Sequence, residues 1–176
     1  MKNVLLLFLL VVGVASHGMG KNVRLHGSLK EFGANVVSMD FDGAAGELSK
    51  EWSQKITVNK DGSFDFSFDL KKPGYYSVGR NTLYLTPGDD MEVYLGTSQP
   101  QSWFKGKGAG VNNYMKGRLF PKAGSFLEAG RNVKGSFEET KKYIDERAAQ
   151  REKELKALPN ASKEFVELEM MRIKAD

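Results

Sequence analysis

The residue types that most often carry covalent chemistry are nearly missing from this 176-residue sequence. It has no cysteine, which excludes thiol nucleophiles, disulfides and thiolate metal sites. Its two histidines, His17 and His26, are too few for a histidine-rich metal site. Asp65 and Asp69 fall on one face of a strand pattern, as a catalytic carboxylate pair would, but the serines on that face indicate an ordinary solvated surface. The sequence therefore predicts no catalytic residue, no metal site and no cofactor.

Two segments superficially resemble ligand-binding loops. Residues 105–110 (KGKGAG) are glycine-rich and basic, but a phosphate-binding loop needs Gly-Lys-Ser/Thr at the start of a helix, and Val111 and Asn112 follow instead. Residues 40–51 place acidic residues at positions one, three and twelve of a calcium loop, yet Ala45 occupies the position that requires glycine. We interpret the first segment as a connector and the second as a hairpin turn.

Aromatic and basic side chains provide the candidate binding surface. Aromatic residues on strands can line a groove for glycan or peptide, although they are also favoured in strands for packing alone. The chain carries a net charge of +4, and its basic residues are not regularly interleaved with aromatic ones, so nucleic acid is not an expected partner. The candidate residues are Tyr75, Tyr76, Tyr84, Trp103, Lys105 and Lys107.

The N-terminus has the plan of a secretory signal peptide. Lys2 precedes an apolar run over residues 4–12, and small residues follow at 14–16. The apolar run is too short to span a bilayer comfortably, so we expect a cleaved signal over residues 1–16 and no transmembrane span. The sequence thus predicts an exported protein of the periplasm or cell envelope.

Residues 21–98 alternate with period two, which predicts strands with one buried face. In residues 63–70 (SFDFSFDL), Phe64, Phe66 and Phe68 share the face expected to enter the core. Turn residues recur about every ten positions, as in an antiparallel β-sandwich. The predicted fold is therefore mainly β with C-terminal helices: an antiparallel β-sandwich followed by an α-helical connector.

The pattern changes after residue 98. Residues 99–135 predict a glycine-rich basic connector with a short helix, and residues 136–176 predict a helical region. Ser136 and Glu139 have capping-box spacing, and Ser162 can cap a second helix. The first helix carries a narrow apolar stripe of Phe137, Ile144, Ala148, Leu155 and Leu158. The last helix has no stop signal, so we expect the region to be truncated.

Several motifs together resemble a known family. They are Asp-Gly-x-Phe at 61–64, Leu-x-Pro-Gly-Asp at 85–89, and Phe-x-Gly-x-Gly-x-x-x-Asn-x-Tyr at 104–114. With them, residues 21–176 resemble the N-terminal region of periplasmic TlpA/ResA-like thiol–disulfide oxidoreductases of Gram-negative anaerobes. In that family a β-sandwich domain of unknown function and a helical connector precede a thioredoxin-like domain. The family's Cys-x-x-Cys motif has no counterpart here, so no catalytic residue carries over.

The resemblance implies a non-catalytic accessory or interaction module of an exported thiol–disulfide oxidoreductase, with a role in cell redox homeostasis. Its partner would be a thioredoxin-like domain, either the missing C-terminal part or a separate chain, and a homodimer is an alternative. The competing hypothesis is a free-standing periplasmic module that recognises glycan or peptide through its strand aromatics.

Overall fold

The computed structural model describes residues 22–42, 53–117 and 125–175. Within them it confirms a mainly β fold with C-terminal helices. The signal peptide predicted over residues 1–16 and most of residues 40–51 lie outside the described residues. The strands are β1 (Asn22–Ser28), β2 (Val36–Phe41), β3 (Ser53–Thr57), β4 (Ser63–Asp69), β5 (Gly74–Val78), β6 (Asn81–Leu85), β7 (Asp90–Tyr94) and β8 (Trp103–Lys107).

The eight strands form two four-stranded sheets. The first sheet has the order β4-β1-β7-β8 and the second has the order β3-β2-β5-β6. Neighbouring strands are antiparallel except β1 and β7, which pair in parallel with Leu25 opposite Met91. The two sheets are thus mostly antiparallel, and the parallel pair arises because β7 enters the first sheet from β6 of the second sheet, running in the same direction as β1.

Alternate side chains from both sheets meet in one hydrophobic core. Leu25 and Val93 of the first sheet and Met39 and Leu83 of the second are at most 1% exposed. Burial of apolar area on this scale is the dominant favourable contribution to folding. Alternation of this kind is what the period-two pattern of residues 21–98 predicts for strands with a buried face.

Strand β4 enters the core less deeply than its sequence predicts. Phe64 is buried, but Phe66 and Phe68 are only partly buried and pack against the edge of the core. The reason is that β4 is an edge strand, paired only with β1. On its other face Asp65 accepts two hydrogen bonds from Arg24, at 3.0 and 2.6 Å, in solvent.

The sandwich extends beyond the boundary predicted at residue 98. Strand β8 pairs antiparallel with β7, with Phe104 opposite Val93, and helix α1 (Ala109–Met115) follows directly. Because β8 is rich in lysine and glycine, its sequence does not predict a strand. Gly106 is required there, because its φ is +94° and a Cβ would lie 2.5 Å from the Asp90 carbonyl oxygen.

Two longer helices, α2 (Phe137–Lys156) and α3 (Lys163–Ala175), complete the described fold. Both predicted caps are confirmed: Ser136 Oγ accepts from Glu139 N and Ser162 Oγ accepts from Phe165 N, each at 3.1 Å. None of the helices in the described part of the chain has the length and apolar character needed to cross a bilayer.

The helices and the second sheet share another hydrophobic core. Phe165 is fully buried there, with its ring 4.7 Å from that of Tyr84 and 6.1 Å from that of Tyr114. The apolar stripe predicted on α2 is turned inward from Ile144 onward. Its first residue, Phe137, is 76% exposed. Among the described residues, the buried members of this second core are Tyr84, Tyr114, Met115, Phe126, Leu155, Phe165 and Ile173.

Candidate binding sites

The six residues of the predicted binding surface lie in different places. Tyr76 belongs to the sandwich core, edge-on to Phe41 at 5.6 Å. Tyr75 and Tyr84 are cross-strand neighbours on the opposite face of the second sheet, beneath the helices. The other three residues are on β8: Trp103 and Lys105 contact each other, and Lys107 lines a separate cleft. The sequence pattern could not tell which of these residues share a surface. Both faces of β5 and β6 are covered by other parts of the protein, so alternation along these strands does not mark a solvent-facing side.

Tyr75 helps to anchor the helices on the sheet. Its hydroxyl donates to Glu169 Oε1 at 2.8 Å, and Arg172 Nε donates to Glu169 Oε2 at 3.1 Å. Glu169 is fully buried, and this pairing offsets the cost of removing its charge from water. The sequence analysis missed Glu169, since a glutamate in a charged helix is usually exposed. The one feature of the sequence that could have indicated a paired Glu169 is Arg172, three residues later on the same helix.

Arg151 makes a second buried contact between helix and sandwich. Its guanidinium lies 3.9 Å from the centre of the Tyr114 ring and donates to Glu154 Oε2 at 2.9 Å. It also donates to the Tyr114 carbonyl oxygen at 3.4 Å. Burial raises the pKa of Tyr114, whose hydroxyl has no hydrogen-bond partner among the described residues. These contacts of Arg151 hold α2 against the sandwich.

Asn112 connects α1 to the edge of the second sheet. Its side chain accepts from Tyr84 N at 2.9 Å and donates to Tyr84 O at 2.9 Å and to Gly108 O at 3.0 Å. The amide therefore takes the place of a neighbouring strand beside β6. Such pairing protects an edge from adding further strands. The sequence placed Asn112 in a motif but gave no hint of this role.

An aromatic pair lies on the outer face of the first sheet. Tyr94 and Trp103 are cross-strand neighbours, with ring centroids 6.1 Å apart and planes within 10°. Lys105 Nζ lies 4.6 Å from the centre of the Trp103 ring and 3.8 Å from Glu92 Oε2. The Tyr94 hydroxyl donates to Glu31 Oε1 at 3.0 Å, and this hydrogen bond raises the pKa of Tyr94. Partly exposed rings beside charged groups can stack on a sugar or on an apolar peptide side chain.

A cleft of about 470 Å³ opens where the sandwich meets the connection between α2 and α3. This volume is within the ~300–1,000 Å³ range of small-molecule sites. The turn before β7 forms one side, the glycine-rich turn after β8 a second, and the connection between the helices a third. Its polar and apolar walls include Tyr84, Asp89, Lys107, Val111, Pro159 and Ser162.

Asp89 is the buried charged group of this cleft. Its Oδ2 accepts from Thr86 N at 2.7 Å, while its own N–H donates to the Thr86 carbonyl, which closes the Pro87-Gly88 turn. Burial raises the pKa of Asp89, and the Thr86 hydrogen bond and the charge of Lys107 counteract part of that effect. Gly108 is required beside it, because a Cβ would lie 2.7 Å from the carboxyl carbon.

Tyr84 closes the inner end of the cleft. Its hydroxyl has no contact of hydrogen-bond geometry with a described residue. Burial raises the pKa of Tyr84. Across residues 22–42, 53–117 and 125–175, no three carboxylate or imidazole groups converge as metal ligands would. Its volume and its mixed polar and apolar lining make the cleft a candidate for binding a small ligand.

Comparison with known proteins adds no relative. No family model, curated protein or solved structure matches this chain. Its likeness to the TlpA/ResA-like proteins stays a prediction from the motifs at 61–64, 85–89 and 104–114.

Proposed function

We propose that this chain is a non-catalytic interaction module, of the kind that accompanies a thioredoxin-like domain in exported thiol–disulfide oxidoreductases. The observation that carries the proposal is a set of large apolar side chains exposed at the helices. Val133 and Phe137 flank the start of α2 and are 57% and 76% exposed. Leu168 and Met171, three residues apart on α3, are 37% and 60% exposed and share a helix face. Neighbouring apolar side chains on a surface, such as Leu168 and Met171, are typical of protein contacts.

The chemistry of the chain agrees with an accessory role. Thiol–disulfide exchange needs a thiolate, and the sequence has no cysteine, so a dithiol active site is absent from it. A dithiol for such exchange would have to come from the partner. The buried contacts of Glu169 and Arg151 fix the helices to the sandwich, so the exposed side chains are held on a preorganised frame.

The test is a calorimetric titration of the whole chain with a thioredoxin-like domain encoded in the same operon. Phe137→Ser and Met171→Ser should each weaken binding about tenfold or more, because truncating a central apolar contact typically costs over ~1.4 kcal/mol. Val36→Ser is the matched control, since Val36 is 54% exposed but lies on the sandwich. Sedimentation of the same variants distinguishes a second copy as partner. Equal behaviour of all three variants, or no association at all, would contradict the proposal.

A second candidate function is recognition of glycan or peptide by the sandwich. The observation that favours it is the Tyr94–Trp103 pair, of which only Trp103 was predicted from the sequence. Tryptophan emission of a Trp52→Phe variant, which leaves Trp103 as the sole tryptophan, should change on adding a soluble oligosaccharide or peptide that binds there. Tyr94→Ala should abolish the change, whereas Tyr75→Phe should not.

A further inference from the structure

The cleft beside Asp89 contains a carboxylate that the protein only half satisfies. One oxygen accepts the Thr86 N–H, and the other has no hydrogen bond from the described residues. The residue is 6% exposed and lines the cleft. A buried carboxylate is best compensated by a cationic donor at short range.

Lys107 supplies the opposite charge at the same cleft. Lys105, two residues earlier, contacts Glu92 and Trp103, whereas Lys107 forms no ion pair within the described part of the chain. Its charge acts on Asp89 without reaching ion-pair distance. The cleft thus has one negative and one positive group, separated by a gap, with apolar contacts from Val111 and Pro159.

We propose that this cleft binds a small zwitterion, a free amino acid or dipeptide, with its ammonium group at Asp89 and its carboxylate at Lys107. Each charge of the ligand is opposite in sign to the side chain that it would contact. The ligand's side chain then lies against Val111 and Pro159. The glycines at 106, 108 and 110 carry no side chains, so that a ligand can approach the backbone closely at these positions of the wall.

Calorimetry with L-alanyl-L-alanine as the probe tests the assignment on the whole chain. The dipeptide should bind, and two analogues should bind at least tenfold more weakly: N-acetyl-alanyl-alanine, which lacks the ammonium group, and alanyl-alanine amide, which lacks the carboxylate. Loss of one charged contact in a partly buried site is expected to have this size.

Variants assign the two ends of the ligand. Asp89→Asn keeps an acceptor for the Thr86 N–H and should lower affinity at least tenfold. Lys107→Gln should weaken binding of the dipeptide but leave that of the amide unchanged, because the amide has no carboxylate to lose. Lys105→Gln, with the same charge change outside the cleft, should have no effect.

Three results would overturn the assignment: no heat of binding with the dipeptide, equal affinity for its acetylated analogue, or equal effects of Lys107→Gln and Lys105→Gln. The lysine variants also keep the test valid if Asp89→Asn folds poorly. Both lysines are exposed on β8, so neither substitution disturbs the core.

Discussion

At the scale of single residues, Asn112 shows how one side chain can join several elements. It is fully buried, and its amide pairs with both backbone groups of Tyr84 and with the carbonyl of Gly108. Asn112→Ala should lower the free energy of unfolding by about 2–4 kcal/mol, because it leaves two backbone groups of β6 buried without partners. Urea denaturation followed by circular dichroism measures the change.

The adjacent residue provides the control. Asn113 is exposed and donates one hydrogen bond, to the Phe104 carbonyl at 2.8 Å. Asn113→Ala should therefore cost less than about 1 kcal/mol. Similar losses for the two alanine variants would mean that the pairing along β6 contributes nothing specific to stability.

Asp89 and Asp65 should give stability opposite dependences on pH. Burial raises the pKa of Asp89 in the folded state, so the folded protein binds this proton more readily than the unfolded chain. The contribution of Asp89 to the free energy of unfolding is then present below the ordinary pKa of an aspartate. It is lost as the pH rises through the pKa of Asp89 in the folded protein. The hydrogen bond from Arg24 lowers the pKa of Asp65, so that contribution is present above the ordinary value and is lost as the pH falls.

Unfolding of the two asparagine variants at about pH 3 and about pH 7 tests this contrast. Relative to the wild type, Asp89→Asn should gain stability as the pH rises between these values. Asp65→Asn should lose stability over the same interval, by a small amount because the pair is exposed to solvent. If both differences changed in the same direction, the burial of Asp89 would have been misjudged.

At the scale of elements, the sequence predicted those structures that depend on local pattern. Period-two alternation located the strands of the sandwich, and Ser136 and Ser162 marked the starts of α2 and α3. Strand β8 was missed because its pairing with β7 is a tertiary choice, made by a segment rich in lysine and glycine. Glu169 was missed for a related reason: only the assembled fold brings Tyr75 and Arg172 to it.

The candidate sites were less predictable than the elements. Trp103, Lys105 and Lys107 were singled out from their types, but their partners Tyr94, Glu92 and Asp89 depend on strand register and turn geometry. Register cannot be read from a single strand, because a shift of one residue reverses every side chain. Residue type therefore identified one member of each site, and the neighbouring residue became evident only from the strand pairing and turns of the structure.

The two ends of the α2–α3 pair should differ sharply in their effect on stability. Phe165→Ala should cost about 3–5 kcal/mol, since it leaves a cavity between the rings of Tyr84 and Tyr114. Phe137→Ala should stay within about 0.5 kcal/mol, because that ring is mostly in solvent. Denaturant midpoints of the two variants measure the difference, and an equally large loss for Phe137→Ala would show that its ring is covered in the folded protein.

At the scale of the whole molecule, the two hydrophobic cores share a pair of strands. Tyr76 and Leu83 face the sandwich core, whereas the adjacent residues of β5 and β6, Tyr75 and Tyr84, face the helices. A strand pair buried on both faces cannot leave one core without exposing the other. A variant shortened to end near Gly135 would lack α2 and α3 and would expose Tyr84. Such a variant could lose partner binding because its sandwich is destabilised, so partner binding is better tested on the whole chain.

This sharing predicts that the sandwich and the helices unfold together. In a Trp52→Phe variant, Trp103 on β8 is the only tryptophan and reports on the first sheet, while far-ultraviolet circular dichroism reports mainly on α2 and α3. The two probes should give the same denaturant midpoint, as a single cooperative transition requires. Phe165→Ala should shift both midpoints by the same amount, although Phe165 lies on α3. If the helical signal were lost first while Trp103 emission kept its folded value, the helices would be a separately stable unit on the sandwich. Coincident transitions would instead mean that a partner bound at the helices stabilises the first sheet as well, because binding to the folded state alone stabilises every element that unfolds with it.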